Sequence, residues 1–449
     1  MASSASSYVS YVVDIFRDIK FSLLMLYFAT FVMRFSAYLV IGLLTYTVDG
    51  VIRGFVISFY SILEIITVSW FGLYSDTRGR KPVLIASHAI TTLGVLLMAV
   101  VGYVQGQVLT SDLVYITFVY LPIMGVLGTG AAAKVASTMT MIADESNIEN
   151  RAQYMGFFDL ATLGGYGAGL AGGTLLVSAL GFTLDEAFLV AIIFVIISVL
   201  MVIFWVDETL TSEEKENNSK VTDHSLTRVL DVVKGNKDLQ KLLPVYIPMI
   251  SLYGILVTFA GDLVKNELSN KGSGGGIPHD VIIVIAIIGF FTGFSMLIMG
   301  KVSDRTRIRR PFIIVGMFSL AILIALFKYY SVVGDGKAFE GLYSILPVTI
   351  LLSWGVGMFP PAILAYLTDI SKKDTRGTMF GVYSVIFGSG MIIGPIVGST
   401  FAGIGKAIDP VYGEITGIIA CIFLMVILSS IGTYFLAERA SDSETQVSI

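Results

Sequence analysis

The sequence predicts an all-α membrane protein, with twelve transmembrane helices in two pseudo-symmetric six-helix bundles. Three observations lead there. Apolar stretches of about 20 residues recur along the whole chain, each long enough to cross a hydrocarbon core of roughly 30 Å. Only 14% of the residues are charged and 55% are hydrophobic, whereas soluble domains carry about 25% charged residues. A basic signature also occurs twice, about half the chain apart and each time between two long apolar runs. The first copy is Gly72-Leu-Tyr-Ser-Asp76-Thr-Arg78-Gly79-Arg80-Lys81-Pro82 and the second Gly300-Lys-Val-Ser-Asp304-Arg305-Thr-Arg307-Ile-Arg309-Arg310-Pro311.

In chain order the predicted spans are about 21–48, 54–73, 83–103, 112–142, 153–180, 186–206, 241–264, 281–300, 312–330, 342–369, 377–403 and 412–437. The first is long and lacks a convincing cleavage site, so it reads as a retained span, not a removed signal peptide. The long polar stretch 207–240 separates spans six and seven. Residues 1–206 then form an N-terminal bundle, 207–240 a cytoplasmic linker and 241–449 a C-terminal bundle. A further internal match supports the duplication. Asp144, Arg151, Gly156, Gly169 and Gly173 recur 225 residues later as Asp369, Arg376, Gly381, Gly394 and Gly398. Paired halves of this kind are a transporter architecture.

Orientation follows from the distribution of Lys and Arg. Arg53, Lys265, Lys271, Lys328, Lys337 and Lys406 fall on one side, and Arg34 and Lys134 fall inside spans. The other 21 of the 29 basic residues lie on the side of the two termini, which is therefore the expected cytoplasmic side. The net charge of −4 gives no reason to expect a nucleic-acid partner, and the single Cys421 makes an intrachain disulfide impossible. No nucleotide loop, metal cluster or nucleophile-with-base arrangement stands out, so neither an enzyme nor a cofactor is expected. Gly167-Ala-Gly169-Leu-Ala-Gly172 spells a dinucleotide fingerprint, but without a preceding strand the match is accidental.

Residues Gly72 to Lys81 match the pattern Gly-x-x-x-Asp-x-x-Gly-Arg-[Arg/Lys] at every position, and the chain thereby resembles the major facilitator superfamily over nearly its whole length. The second copy is one residue longer and lacks the internal Gly. Physically, an Asp at a helix end can accept from a neighbouring helix N-terminus, and an Arg can fork onto a second carboxylate. Arg80 is expected to pair with Asp144, and Arg309 or Arg310 with Asp369. The resemblance implies that Gly72, Asp76, Arg80, Asp144, Arg151, Asp304, Arg309, Arg310, Asp369 and Arg376 form conformational latches holding the halves together. The simpler reading makes them charges that keep short loops in the cytoplasm.

Span five contains Gly164-Gly165-Tyr166-Gly167-Ala168-Gly169 with Gly172-Gly173, and span eleven contains Gly388, Gly390, Gly394-Pro395 and Gly398. Small residues four apart allow close helix packing; a hinge is the competing reading. The family's antiporters resemble span five but carry Pro where Leu170 stands, and an Arg where Met124 stands. Both departures count against a drug exporter.

Arg34, Glu64, Lys134 and Asp159 lie deep inside first-half spans, where each charge costs roughly 2.5–3.5 kcal/mol to insert. Counting ~1.5 Å per residue from the loop charges places Arg34 and Glu64 at one depth and Lys134 and Asp159 at another. Two ion pairs are therefore possible, Arg34–Glu64 and Lys134–Asp159. Alternatively Arg34 and Lys134 face an anionic solute, while Glu64 or Asp159 carries a proton. The second half offers aromatic residues instead: Tyr246, Tyr253, Trp354, Tyr366 and Tyr383, with Pro244, Pro248, Pro360 and Pro361 as expected helix breaks.

Arg34-Phe35-Ser36-x-Tyr38 and Gly128-Thr129-Gly130 followed by Lys134 resemble, locally, the proton-coupled oligopeptide transporters. That family has Glu where Thr30 and Met33 stand and Pro after its Lys, where Val135 stands here. Together the readings point to a secondary transporter of a small carboxylate-bearing or zwitterionic solute, short peptides among the candidates, with proton symport. Arg34, Tyr38, Lys134, Tyr253, Trp354 and Tyr383 are the candidate substrate residues, and Glu64 and Asp159 the proton-coupling ones. A multidrug/proton antiporter, a sugar transporter and a non-transporting sensor or scaffold of the same fold are the alternatives. The expected partners are the solute, protons and the bilayer of the cell membrane, with the protein a monomer.

Overall fold

A computed structural model describes residues 19–436, apart from 107, 147–150, 212–232, 271–278, 307, 334–336, 370–375 and 411–412. Among the described residues, twelve helices are long and apolar enough to cross a membrane. The first six spans run Phe21–Leu43, Gly50–Arg78, Arg80–Gln105, Leu121–Glu145, Arg151–Ser178 and Leu184–Trp205. Spans seven to nine are Lys237–Asn270, His279–Thr306 and Arg310–Val333. Span ten is two helices, Leu346–Val356 and Phe359–Asp369, followed by Arg376–Ile408 and Gly413–Tyr434. Most of the linker, 212–232, lies outside the described residues.

Local chemistry sets several of these boundaries. The Asp49 carboxylate accepts from the Val51 amide at 3.1 Å and caps span two. Thr183 and Glu186 form a reciprocal capping box in front of span six. Between spans two and three the chain reverses through Gly79 at φ 117°, a conformation open to glycine and strained for residues with a Cβ. Pro360 and Pro361 stand at the start of the second helix of span ten, where a break was expected. Pro244 and Pro248 differ, since both lie inside the continuous helix of span seven. Prolines are tolerated within membrane helices, and Ser429 of span twelve ties this helix to its neighbour by donating to the Val245 carbonyl at 2.8 Å.

The glycines of span five form a stripe against span one. A Cβ at Gly165 would sit 2.7 Å from the Cβ of Arg34, one at Gly169 2.8 Å from the Leu39 nitrogen, and one at Gly173 2.6 Å from the Leu39 carbonyl oxygen. Gly390, Gly394 and Gly398 of span eleven likewise meet Ile250, Ser251 and Ile255 of span seven. The same contact therefore occurs once in each half, and close packing is its structural role.

The halves also touch each other. Arg53, 2% exposed, donates through Nη1 to the Thr258 carbonyl of span seven at 3.2 Å. It also donates to the Val48 carbonyl and the Thr45 hydroxyl of its own half. Ser58 of span two donates to the Ile392 carbonyl of span eleven at 3.1 Å. Sequence reading placed Arg53 in an exterior loop; the structure buries it at the seam.

Overpacking a tight helix contact costs about 1–3 kcal/mol. Gly169→Leu should therefore lower the Tm of the purified protein clearly. Gly167→Leu, on the exposed face with open space around it, should leave Tm close to wild type. Equal Tm values for the two variants would overturn the packing role of the stripe.

Candidate functional site

The deep charges of the first half gather around Arg34. Its guanidinium is 1% exposed. Nη2 lies 3.6 Å from Glu64 Oε1, Nη1 donates to the Tyr60 hydroxyl, and the Tyr166 ring centroid is 5.0 Å away. Tyr38 stacks on Tyr166 with centroids 3.8 Å apart. The expected Arg34–Glu64 pair thus forms, inside a cage of tyrosines. Tyr60 and Tyr166 were not singled out from sequence. Tyr60 lies four residues before Glu64, on the same helix face, and that spacing was the available signal.

The expected Lys134–Asp159 pair does not form. Lys134 is fully buried, and its ammonium has no hydrogen-bond or ion-pair partner among the described residues. It sits 4.9 Å from the Phe158 ring centroid and within electrostatic reach of Arg34, Glu64 and Asp159. Residue counting fixes the level of a side chain, but the azimuth at which its helix presents it decides the neighbours. Asp159 is turned instead to the other half, where the Tyr383 hydroxyl donates to Oδ1 at 3.4 Å.

Asp159 and Leu163 of span five meet Tyr246, Ile250, Tyr253, Phe359, Tyr383 and Phe387 of the second half around a small cavity. It has room for about one water molecule in this conformation. Of the candidate substrate residues, Tyr253 and Tyr383 line this cavity. Arg34, Tyr38 and Lys134 do not. Trp354 is also elsewhere, its ring 5.9 Å from that of Phe294 and its carbonyl accepting from Ser295 at 2.6 Å.

The loop signature makes a second cluster. Arg80 pairs with Asp144, as expected, and lies 4.0 Å from Asp76. Both pairs stay within the first half, so this contact does not run across the two halves as the family resemblance implied. Its third partner is the start of the linker. The Glu208 carboxylate accepts from the Arg80 and Lys81 amides at 3.1 and 3.2 Å, capping span three. Thr209 accepts from Arg80 Nη1 at 3.2 Å and donates to Asp144 at 2.7 Å. Glu208 thus belongs to the linker by sequence and to the end of span three by contact. Beside this cluster Glu145 holds Lys20 at 2.5 Å, which raises the Lys20 pKa above its ordinary value. A Cβ at Gly72 would meet open space, so packing here does not explain that glycine. In the second copy Arg309 Nη1 donates to the Ser303 hydroxyl at 2.8 Å, and Arg310 lies 6.0 Å from the Tyr434 ring centroid. The side chains of Arg151, Asp304, Asp369 and Arg376 lie outside the described residues.

Comparison with known proteins gives one answer about ancestry. The family model of the Major Facilitator Superfamily matches residues 23–327 and 249–448. The chain is 23% identical over 415 residues to the tetracycline resistance protein, class B, of Escherichia coli, covering 88% of this chain and 89% of that one. It is 23% identical over 354 residues to multidrug resistance protein 2 of Bacillus subtilis, covering 78% and 80%. Among solved structures, the nucleoside transporter NupG aligns with a TM-score of 0.64 at 16% identity, over 92% of this chain and 98% of that one. The human organic anion transporter MFSD10 aligns with a TM-score of 0.58 at 16% identity, over 92% and 99%. With the duplicated loop signature, the twelve helices and a family match spanning both halves, the chain belongs to the Major Facilitator Superfamily of membrane transporters.

Proposed function

We propose that this transporter moves a small organic solute bearing an anionic group, carboxylate-bearing or zwitterionic, coupled to protons and by alternating access. In this reading residues 1–206 and 241–449 are the two moving bundles and 207–240 is a cytoplasmic linker. Both termini are cytoplasmic, the membrane is the cell membrane, and the protein works as a monomer. The Lys and Arg asymmetry supports that orientation.

The observation that carries the substrate reading is Lys134, a fully buried ammonium without an anionic partner among the described residues. A cation at membrane depth is costly unless an anion joins it. An anionic solute arriving between the halves would be that partner. Glu64, close to Arg34, is the carboxylate best placed to take a proton, since neutralising it frees Arg34 for the same solute. Asp159 is a second carboxylate within a proton's reach. The Arg80 cluster would hold the first half and the linker as one body while the halves rock. Asp304, Arg309, Arg310, Asp369 and Arg376 would serve the matching end of the second half, with Arg151 beside Asp144 in the first.

A second reading is a drug/proton antiporter. Relatives named for tetracycline and multidrug resistance favour it, against the departures at Leu170 and Met124.

Proteoliposomes containing the purified protein decide between them. A proton gradient is imposed in each direction, and a labelled dipeptide, a monocarboxylate, tetracycline, a sugar and a cationic dye are followed. Gradient-driven movement of an anionic or zwitterionic solute, reduced about tenfold or more in Lys134→Ala, is the expected result, from the loss of one charge-assisted contact. Response of the dye alone, or a Lys134→Ala variant equal to wild type, would sink the anionic reading. Glu64→Gln should retain solute exchange at equal pH on both sides while losing the response to the gradient. A variant that still concentrates solute against the gradient removes Glu64 from the coupling step.

A further inference from the structure

We propose that Asp159 and the tyrosines around it form a subsite for an organic ammonium group. The transported solute then carries a basic nitrogen in addition to the anionic group assigned to Lys134. That link to one solute rests on the reading above; the ammonium subsite itself stands on its own geometry.

Asp159 is 5% exposed, and no cation lies within ion-pair distance of it among the described residues. Its hydrogen-bond partner is Tyr383, at the long distance of 3.4 Å. A carboxylate at this depth is costly until a positive charge joins it, and the protein supplies none in contact. What it supplies is aromatic surface. Tyr246 and Tyr383 lie 6.1 Å apart, Tyr246 and Phe359 6.5 Å, and Tyr383 and Phe387 5.9 Å, all bordering the same cavity. Ring faces beside a carboxylate attract ammonium groups and give an anion nothing.

A further observation points to a missing ligand. Tyr253 lines this cavity, and its hydroxyl is buried with no hydrogen-bond partner among the described residues. Leaving such a group unpaired in a buried setting is costly. An ammonium N–H directed at the Tyr253 oxygen and at Asp159 satisfies both. The cavity now holds about one water molecule, too little for a solute. Its walls come from span five on one side and spans seven, ten and eleven on the other, so it widens when the halves part. Lys134 and Asp159 both stand on first-half helices, and a solute with two poles would touch both.

The test is isothermal titration of the purified full-length protein in nanodiscs at neutral pH, with phenethylammonium and 3-phenylpropionate as probes. Phenethylammonium should bind wild type, bind Asp159→Asn about tenfold or more weakly, and bind Tyr253→Phe about threefold more weakly, from the hydrogen bonds removed. Asp159→Glu, which keeps the charge, should recover part of the loss. If phenethylammonium fails to bind wild type, or binds Asp159→Asn as tightly, the subsite is wrong and Asp159 serves protons alone. Should Asp159→Asn fail to fold, Tyr253→Phe decides, because it removes a hydroxyl and changes little else; undiminished binding overturns the subsite. Binding of 3-phenylpropionate that ignores Lys134→Ala overturns the anionic reading of Lys134 and leaves the ammonium subsite standing.

Discussion

A cation taken out of water must find an anion, a carbonyl or an aromatic face, and the first half of this protein meets that demand in four ways. Arg34 has a carboxylate and three tyrosines nearby. Arg53 leans on main-chain carbonyls. Arg80 has Asp144, with Asp76 and the linker around it. Lys134 has the Phe158 ring and, among the described residues, no carboxylate in contact. Each arginine thus ties neighbouring elements together in this conformation, while the Lys134 ammonium is left without a hydrogen-bond partner among the described residues.

The duplication reaches the scaffold and stops short of the chemistry. Span one packs on the glycines of span five as span seven packs on those of span eleven. The charges do not follow: Lys134 maps onto Phe359 and Asp159 onto Ser384. A charged bundle therefore faces an aromatic one, and the seam between them is where Asp159 meets Tyr383. At the cavity, the carboxylate comes from one half and the aromatic rings from the other.

Much of this was legible in the sequence because the bilayer imposes length and composition so strictly. All twelve spans could be read, with boundaries off by a few residues; span two, for example, begins at Gly50 and not at 54. Depth counting found the Arg34–Glu64 pair. It failed for Lys134 and Asp159 because level along a helix says nothing about azimuth. Glu208 was missed because a polar residue at the start of a linker looks like any other. Only the fold shows that its carboxylate reaches back to a helix N-terminus 128 residues earlier. Pro244 and Pro248 misled because a proline within a membrane helix need not end it, and span seven runs through both.

The two hydrogen bonds that Arg53 and Tyr383 make across the seam differ in what inheritance can do to them. Arg53 donates to the carbonyl of Thr258, an acceptor that every amino acid at position 258 would provide. Side-chain change at position 258 therefore leaves the acceptor in place. The Asp159–Tyr383 contact joins two side chains, so a single codon change on either side abolishes or retunes it. Descendants of this chain would then keep one seam contact fixed while the other is free to change.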